Sequence, residues 1–117
     1  MLYYLQDILY AIERAENFVA DMDYVDFEAD EKTSFAVVRA LEIVGEASKK
    51  IPPEMRKKYP DVPWKEMAGM RDKLSHDYFG VNLHRVFETV RRDLPPLRAS
   101  LQKIVEEFEP AECDQNI

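Results

Sequence analysis

Apolar residues recur three and four positions apart through almost the whole sequence, and no alternating run of useful length interrupts them. Only three glycines occur in 117 residues. Helices that must bury one stripe each are therefore the expected building blocks, and the chain reads as all-α. At this length, with 46% hydrophobic residues, it forms one domain that buries roughly two thirds of its unfolded surface, with no room for a second.

Leu2, Leu5, Ile8, Leu9, Ile12, Ala15 and Val19 make the first stripe, which ends before an acidic, aromatic connector over Asp21 to Phe27. Asp30 can cap a second long helix, whose stripe is read as Phe35, Val38, Leu41, Val44 and Ala47 and which Pro52-Pro53 stops. Arg39, Glu42 and Glu46 fall on its other side, as a solvated face with partners three and four residues apart. One short helical turn is expected over 53–60; its Arg56-Lys57-Lys58 cluster reads either as ordinary surface or as a phosphate-positioning patch. Pro63 suits a first helical turn, so a third helix is predicted from about Pro63 through Tyr78, ending by Gly80. Asn82 can cap a fourth, whose stripe Leu83, Val86 and Val90 continues past Pro95-Pro96 as Leu97, Leu101, Ile104 and Phe108. The two prolines fit if Asp93 caps a restarted segment, because the first amides of a helix have no partner within it. Residues 1–109 thus read as a helical-bundle domain and 110–117 as an acidic, disordered tail.

The net charge of −7 argues against a nucleic-acid partner until it is divided along the chain. Residues 1–48 hold three basic and eleven acidic side chains, residues 49–98 hold twelve and seven, and 99–117 hold one and five. The middle of the chain is basic. That asymmetry fits a cationic face and equally fits charges scattered over solvated helices. Cys113 is the only cysteine, so an internal disulfide is impossible and a cysteine-based metal site is disfavoured. The first residues lack a basic stretch followed by an apolar block, and no stretch approaches eighteen apolar residues. A cytoplasmic protein that does not engage a membrane is the expectation.

Chemistry concentrates in Arg71-Asp72-Lys73-Leu74-Ser75-His76-Asp77-Tyr78, inside the basic region. A guanidinium can grip two phosphate oxygens, and an imidazole can take and return a proton near neutral pH. On a helix of about 100° per residue with Arg71 at zero, Tyr78 falls near −20°, Ser75 near 40°, Asp72 near 100° and His76 near 140°. Met67, Met70 and Leu74 take the opposing, core-facing arc. In a lone bundle His76 would then face water, where a phosphate is neither held nor shielded. Packing this helix against its symmetry mate across a two-fold axis would gather two Arg71 and two His76 in one cleft. An arginine five residues before a histidine also occurs on helices with no function attached. His84 reads as surface, and Trp64 and the methionines as core.

Arg71-x4-His76-x-Tyr78 resembles the signature of HEPN-domain ribonucleases, specifically the HepT toxins of HepT/MntA toxin-antitoxin pairs. The likeness extends over nearly the whole chain, through residues 40–47, Ile51-Pro52-Pro53-Glu54, residues 63–70 and Tyr78-Phe79-Gly80-Val81, in the same order. The resemblance implies a four- to five-helix antiparallel bundle that forms a two-fold homodimer. It implies a ribonuclease site needing no metal and no cofactor, built from Arg71 and His76 of both subunits, with RNA, tRNA included, as substrate. It further implies a type VII-like toxin-antitoxin system, in which an MntA-like nucleotidyltransferase antitoxin transfers AMP onto Tyr78. Asp72 and Ser75 would support, Asp72 by orienting Arg71 or His76.

In RNA the 2′-hydroxyl is tethered beside its own phosphodiester. Cleavage therefore needs a base for that hydroxyl, an acid for the leaving 5′-oxygen and compensation for phosphorane charge. One His76 can serve each proton task while Arg71 holds the phosphate. Two other readings stay open: a helical binding subunit that docks a nucleotidyltransferase or a nucleotide, and a purely structural dimerisation bundle.

Overall fold

The computed structural model describes residues 2–70, 72 and 82–115, by backbone alone from residue 109. Every regular element among the described residues is helical: α1 (Leu2–Phe18), α2 (Tyr24–Ala29), α3 (Glu31–Lys49), α4 (Pro53–Lys58), α5 (Trp64–Ala68), α6 (Leu83–Glu88), a π-helical turn (Thr89–Asp93) and α7 (Leu94–Gln115). The fold is all-α, as the periodicity requires. None of the described helices is long and apolar enough to cross a membrane.

Three rods carry the core. α1 packs along α3 and along α7, and α5 closes over α3. Lys50, just past the end of α3, lies 5.6 Å from the ring of Tyr4 near the start of α1, so these two run antiparallel. Arg98 early in α7 meets Glu16 late in α1 at 2.8 Å, so the second pair is antiparallel too. Leu5, Ile8, Ile12, Leu41, Val44, Val86, Leu94 and Leu101 are fully buried between them. Removing such side chains from water is the main force holding the rods together.

Five features differ from the sequence reading. The connector over 21–27 is in part a helix, α2, because Asp23 accepts from the Asp26 amide at 2.9 Å while Asp26 accepts from the Asp23 amide at 3.4 Å. This reciprocal cap satisfies two amides that otherwise lack partners. In α3 the buried face is Ser34, Val37, Ala40, Leu41, Val44, Gly45, Ala47 and Ser48, and Phe35 is 69% exposed. A stripe counted strictly by threes drifts about 60° per step, so one centred on Leu41 carries Phe35 off the core face.

Asp93 does not restart a helix. It ends the π turn, in which the Leu94 amide donates to the Thr89 carbonyl five residues back. Widening the coil just before Pro95 and Pro96 lets one continuous rod pass residues whose rings would collide with the preceding turn of a regular α-helix. α7 then runs to Gln115, into the acidic stretch read as a tail. The predicted third helix is interrupted: α5 ends at Ala68 with Gly69 as its cap, and helical backbone resumes at Met70 and Asp72.

Candidate functional site

Arg71, Ser75, His76 and Tyr78 lie outside the described residues; Asp72 is described, and it is exposed on a helical turn. What the fold fixes is the frame on either side of this segment. Upstream, the Trp64 indole N–H donates to the Tyr59 carbonyl at 2.9 Å, and Trp64, Met67 and Met70 are buried as expected. The described chain is thereby anchored in the core as far as Met70. Downstream, the Asn82 side chain accepts from the Arg85 amide at 3.1 Å, capping α6 as its sequence position predicts.

Between the two flanks lies a cleft of about 590 Å³, walled by Met67 and Met70 on one side and by Arg85, Glu88, Arg92 and Asp93 on the other. Met70, which precedes the signature in the chain, is one of its lining residues. Its lining is mixed in charge, because Glu66, Glu88 and Asp93 accompany the two arginines. It can seat an anionic group at an arginine, but it is no uniform cationic track.

Part of the basic surplus of the middle region is structural. Arg56 donates through Nε to the Ile51 carbonyl (3.1 Å) and through Nη2 to those of Ser48 (3.0 Å) and Lys49 (3.3 Å), adding to the bond that Ser48 accepts from the Ile51 amide (3.2 Å) and closing the end of α3. That settles its half of the open choice at 56–58: Arg56 is a helix cap. Lys58 stands 5.5 Å from the Tyr59 ring and 5.9 Å from that of Phe108. Arg91 donates to the carbonyls of Val19 and Met22 beyond the end of α1, at 3.1 Å for Val19, and its guanidinium lies 4.9 Å from the Phe87 ring. On α3, Arg39 approaches Glu42 at 3.9 Å and Glu46 at 3.8 Å, the solvated ion pairing expected of that face.

A feature absent from the sequence reading sits next to α6. His84 is exposed, as expected, yet its ring stacks on Tyr24 with centroids 3.6 Å apart and planes at 17°. Tyr24 meets Phe87 edge-on at 5.8 Å, and its hydroxyl donates to Glu28 at 3.1 Å. Partial burial, then that carboxylate, push the Tyr24 phenol above its ordinary range. The spacing of His84 and Phe87, one turn apart on a capped helix, is the sequence signal that could have disclosed this cluster.

A family model described as Ribonuclease HepT-like matches residues 8–104, a span that contains every signature position. The chain belongs to the HepT-like ribonuclease family. Among relatives of this HepT-like chain, one from Thermococcus cleftensis, named "Probable ribonuclease HepT", is 50% identical over 101 residues, covering 86% of this chain and 92% of that one. Another, from Methanocaldococcus jannaschii and named "Putative RNase", is 46% identical over 106 residues, covering 91% of each. A third, from Caldanaerobacter subterraneus and likewise named "Putative RNase", is 45% identical over 103 residues, covering 88% of this chain and 92% of the relative. No solved structure matches the chain.

Proposed function

We propose that this protein is a metal-independent endoribonuclease that cleaves RNA by attack of the 2′-hydroxyl, and that it acts as the toxin of a toxin-antitoxin pair. The single observation that carries the reading is a family match that runs through Arg71-x4-His76-x-Tyr78 on a bundle of the expected class. Two copies of the chain pair about a two-fold axis so that Arg71 and His76 from each face a common cleft. One His76 removes the 2′-hydroxyl proton and the other protonates the leaving 5′-oxygen, while Arg71 neutralises the phosphorane. The products are a 2′,3′-cyclic phosphate and a 5′-hydroxyl. Asp72 and Ser75 support the pair; the exposure of Asp72 leaves its carboxylate able to approach a neighbour.

Regulation follows from Tyr78. Attack of its hydroxyl on the α-phosphorus of ATP, catalysed by an MntA-like nucleotidyltransferase with loss of the phenolic proton and release of pyrophosphate, would place an anionic phosphodiester beside Arg71 and an adenosine over the cleft mouth. The test begins with intact mass, which tells whether the purified chain is unmodified, and with sedimentation, which tells whether it is a dimer. Unmodified dimer should then cut RNA in the presence of EDTA, and His76→Ala should lower the rate by about 10²- to 10⁴-fold for each proton transfer lost. Tyr78→Phe should stay active and escape the nucleotidyltransferase. An unmodified protein that binds nucleotide or nucleotidyltransferase and cuts no RNA would instead be a binding subunit.

A further inference from the structure

The Tyr24–His84 stack does no work in the chemistry above, and it costs exposure of an aromatic ring to maintain. Its inner side is built firmly. Phe27 is fully buried beneath it, 5.3 Å from Phe87, and the Arg91 guanidinium, 4.9 Å from the Phe87 ring, is itself held by the Val19 carbonyl just past the end of α1. Tyr24 covers one face of the His84 ring, while the histidine as a whole remains exposed. A hollow of about 570 Å³ lies against it, bounded by Tyr24, His84, Phe87, Glu88, Arg91 and Arg92. Glu88 and Arg92 also wall the cleft that reaches Met70, so the two hollows share one rim. The exposed His84 ring therefore stands one rim away from the cleft that Met70, the residue before Arg71 in the chain, helps to wall.

We infer that the His84–Tyr24 stack is a nucleobase-stacking subsite, which holds one unpaired base of the RNA strand flanking the scissile position, with Arg92 at the rim available to the adjoining phosphate. This rests on the ribonuclease reading for the identity of its ligand. Stacking suits the surroundings better than charge does: Asp23 and Glu88 line the same hollow as Arg91 and Arg92, so attraction for phosphate is largely offset, whereas any base offers a π-face. The imidazole, already held parallel to a phenol, loses little freedom when a base lies on its other face. The subsite selects single strands over duplexes, because only an unpaired base can reach it.

The probe is a fluorescent single-stranded hexanucleotide with 2′-deoxy sugars, which cannot be cleaved, titrated with wild-type protein, His84→Ala and His84→Trp and read by anisotropy. His84→Ala should weaken binding about tenfold, with the same dependence on salt as wild type, and His84→Trp should restore it. A strand with abasic positions should bind wild type and His84→Ala alike. Unchanged affinity in His84→Ala, an equal loss with the abasic strand, a changed salt slope, or no binding by wild type would each overturn the subsite. Thermal melts identify a variant that has lost its fold, and Tyr24→Leu, which removes the supporting ring from the other side, then serves in its place with the same expected loss. Catalysis is scored separately on an all-ribose strand: binding that depends on His84 without any cleavage would sink the ribonuclease reading and leave the subsite standing.

Discussion

Arg56→Ala separates a structural cation from a substrate-binding one. The guanidinium of Arg56 makes three contacts to main-chain carbonyls: Ile51 through Nε at 3.1 Å, and Ser48 and Lys49 through Nη2 at 3.0 and 3.3 Å. Hydrogen bonds to a charged group contribute about 1.5–3 kcal/mol each. Arg56 is half-buried and two of the bonds share one nitrogen, so water can replace part of the loss and the pair counts as about one. The expected cost of Arg56→Ala is then about 2–3 kcal/mol, or a fall in Tm of about 10 °C for a domain of this size. Arg56→Lys should recover less than half, because an ammonium cannot fork between the end of α3 and Ile51. Urea denaturation followed by circular dichroism at 222 nm measures the effect, alongside binding of the uncleavable hexanucleotide. A midpoint that does not move while affinity for the strand falls would refute the capping account and return Arg56 to the phosphate patch.

Leu41→Ala should cost about 2–5 kcal/mol by opening a cavity between α1 and α3, whereas Phe35→Ser should stay within about 0.5 kcal/mol; equal losses in denaturation would contradict the observed face of α3. Asp30 accepts from the Thr33 amide at 3.0 Å and from its hydroxyl at 2.8 Å, which holds its carboxyl below the ordinary range. Its contribution is complete above the unfolded value of about 3.9 and fades as pH falls through the lower folded value, so Asp30→Ala should lower the denaturation midpoint at pH 7 and lower it less at pH 3. The Tyr59 hydroxyl donates to Glu107, and that bond, followed by partial burial, raises its phenol. Because the folded value is raised, the bond stabilises fully below about pH 10 and is lost as pH climbs beyond it; Tyr59→Phe should be less stable than wild type at pH 8 and converge on it in strong alkali, and a constant gap in denaturation midpoints would count against the bond.

The basic middle of the chain shows how sequence charge is spent on two ends at once. Arg56 and Arg91 lie inside it, and both serve helix termini by reaching carbonyls of the neighbouring element. Counting them as part of a cationic surface overstates the field that a nucleic acid would meet. Arg85 and Arg92 line the cleft instead, where Glu88 and Asp93 temper them. Recognition there is better served by shape, stacking and a few placed charges than by bulk attraction.

Local rules were enough for much of this protein. The period of the apolar residues determined an all-helical chain, Asp30 and Asn82 announced their helices by capping chemistry, and Pro52-Pro53 ended α3, because each of these effects acts within four residues of its cause. The Arg71–Tyr78 motif was legible as a candidate for the same reason, since its spacing is a property of one helix, although its residues lie outside those the structure describes. What no local rule could supply was which face of α3 turns inward, where Arg56 and Arg91 discharge their donors, and that His84 meets Tyr24 sixty positions away. Those depend on how the rods cross, and a crossing is chosen by the summed burial of several helices at once, a quantity that no single stretch of sequence contains.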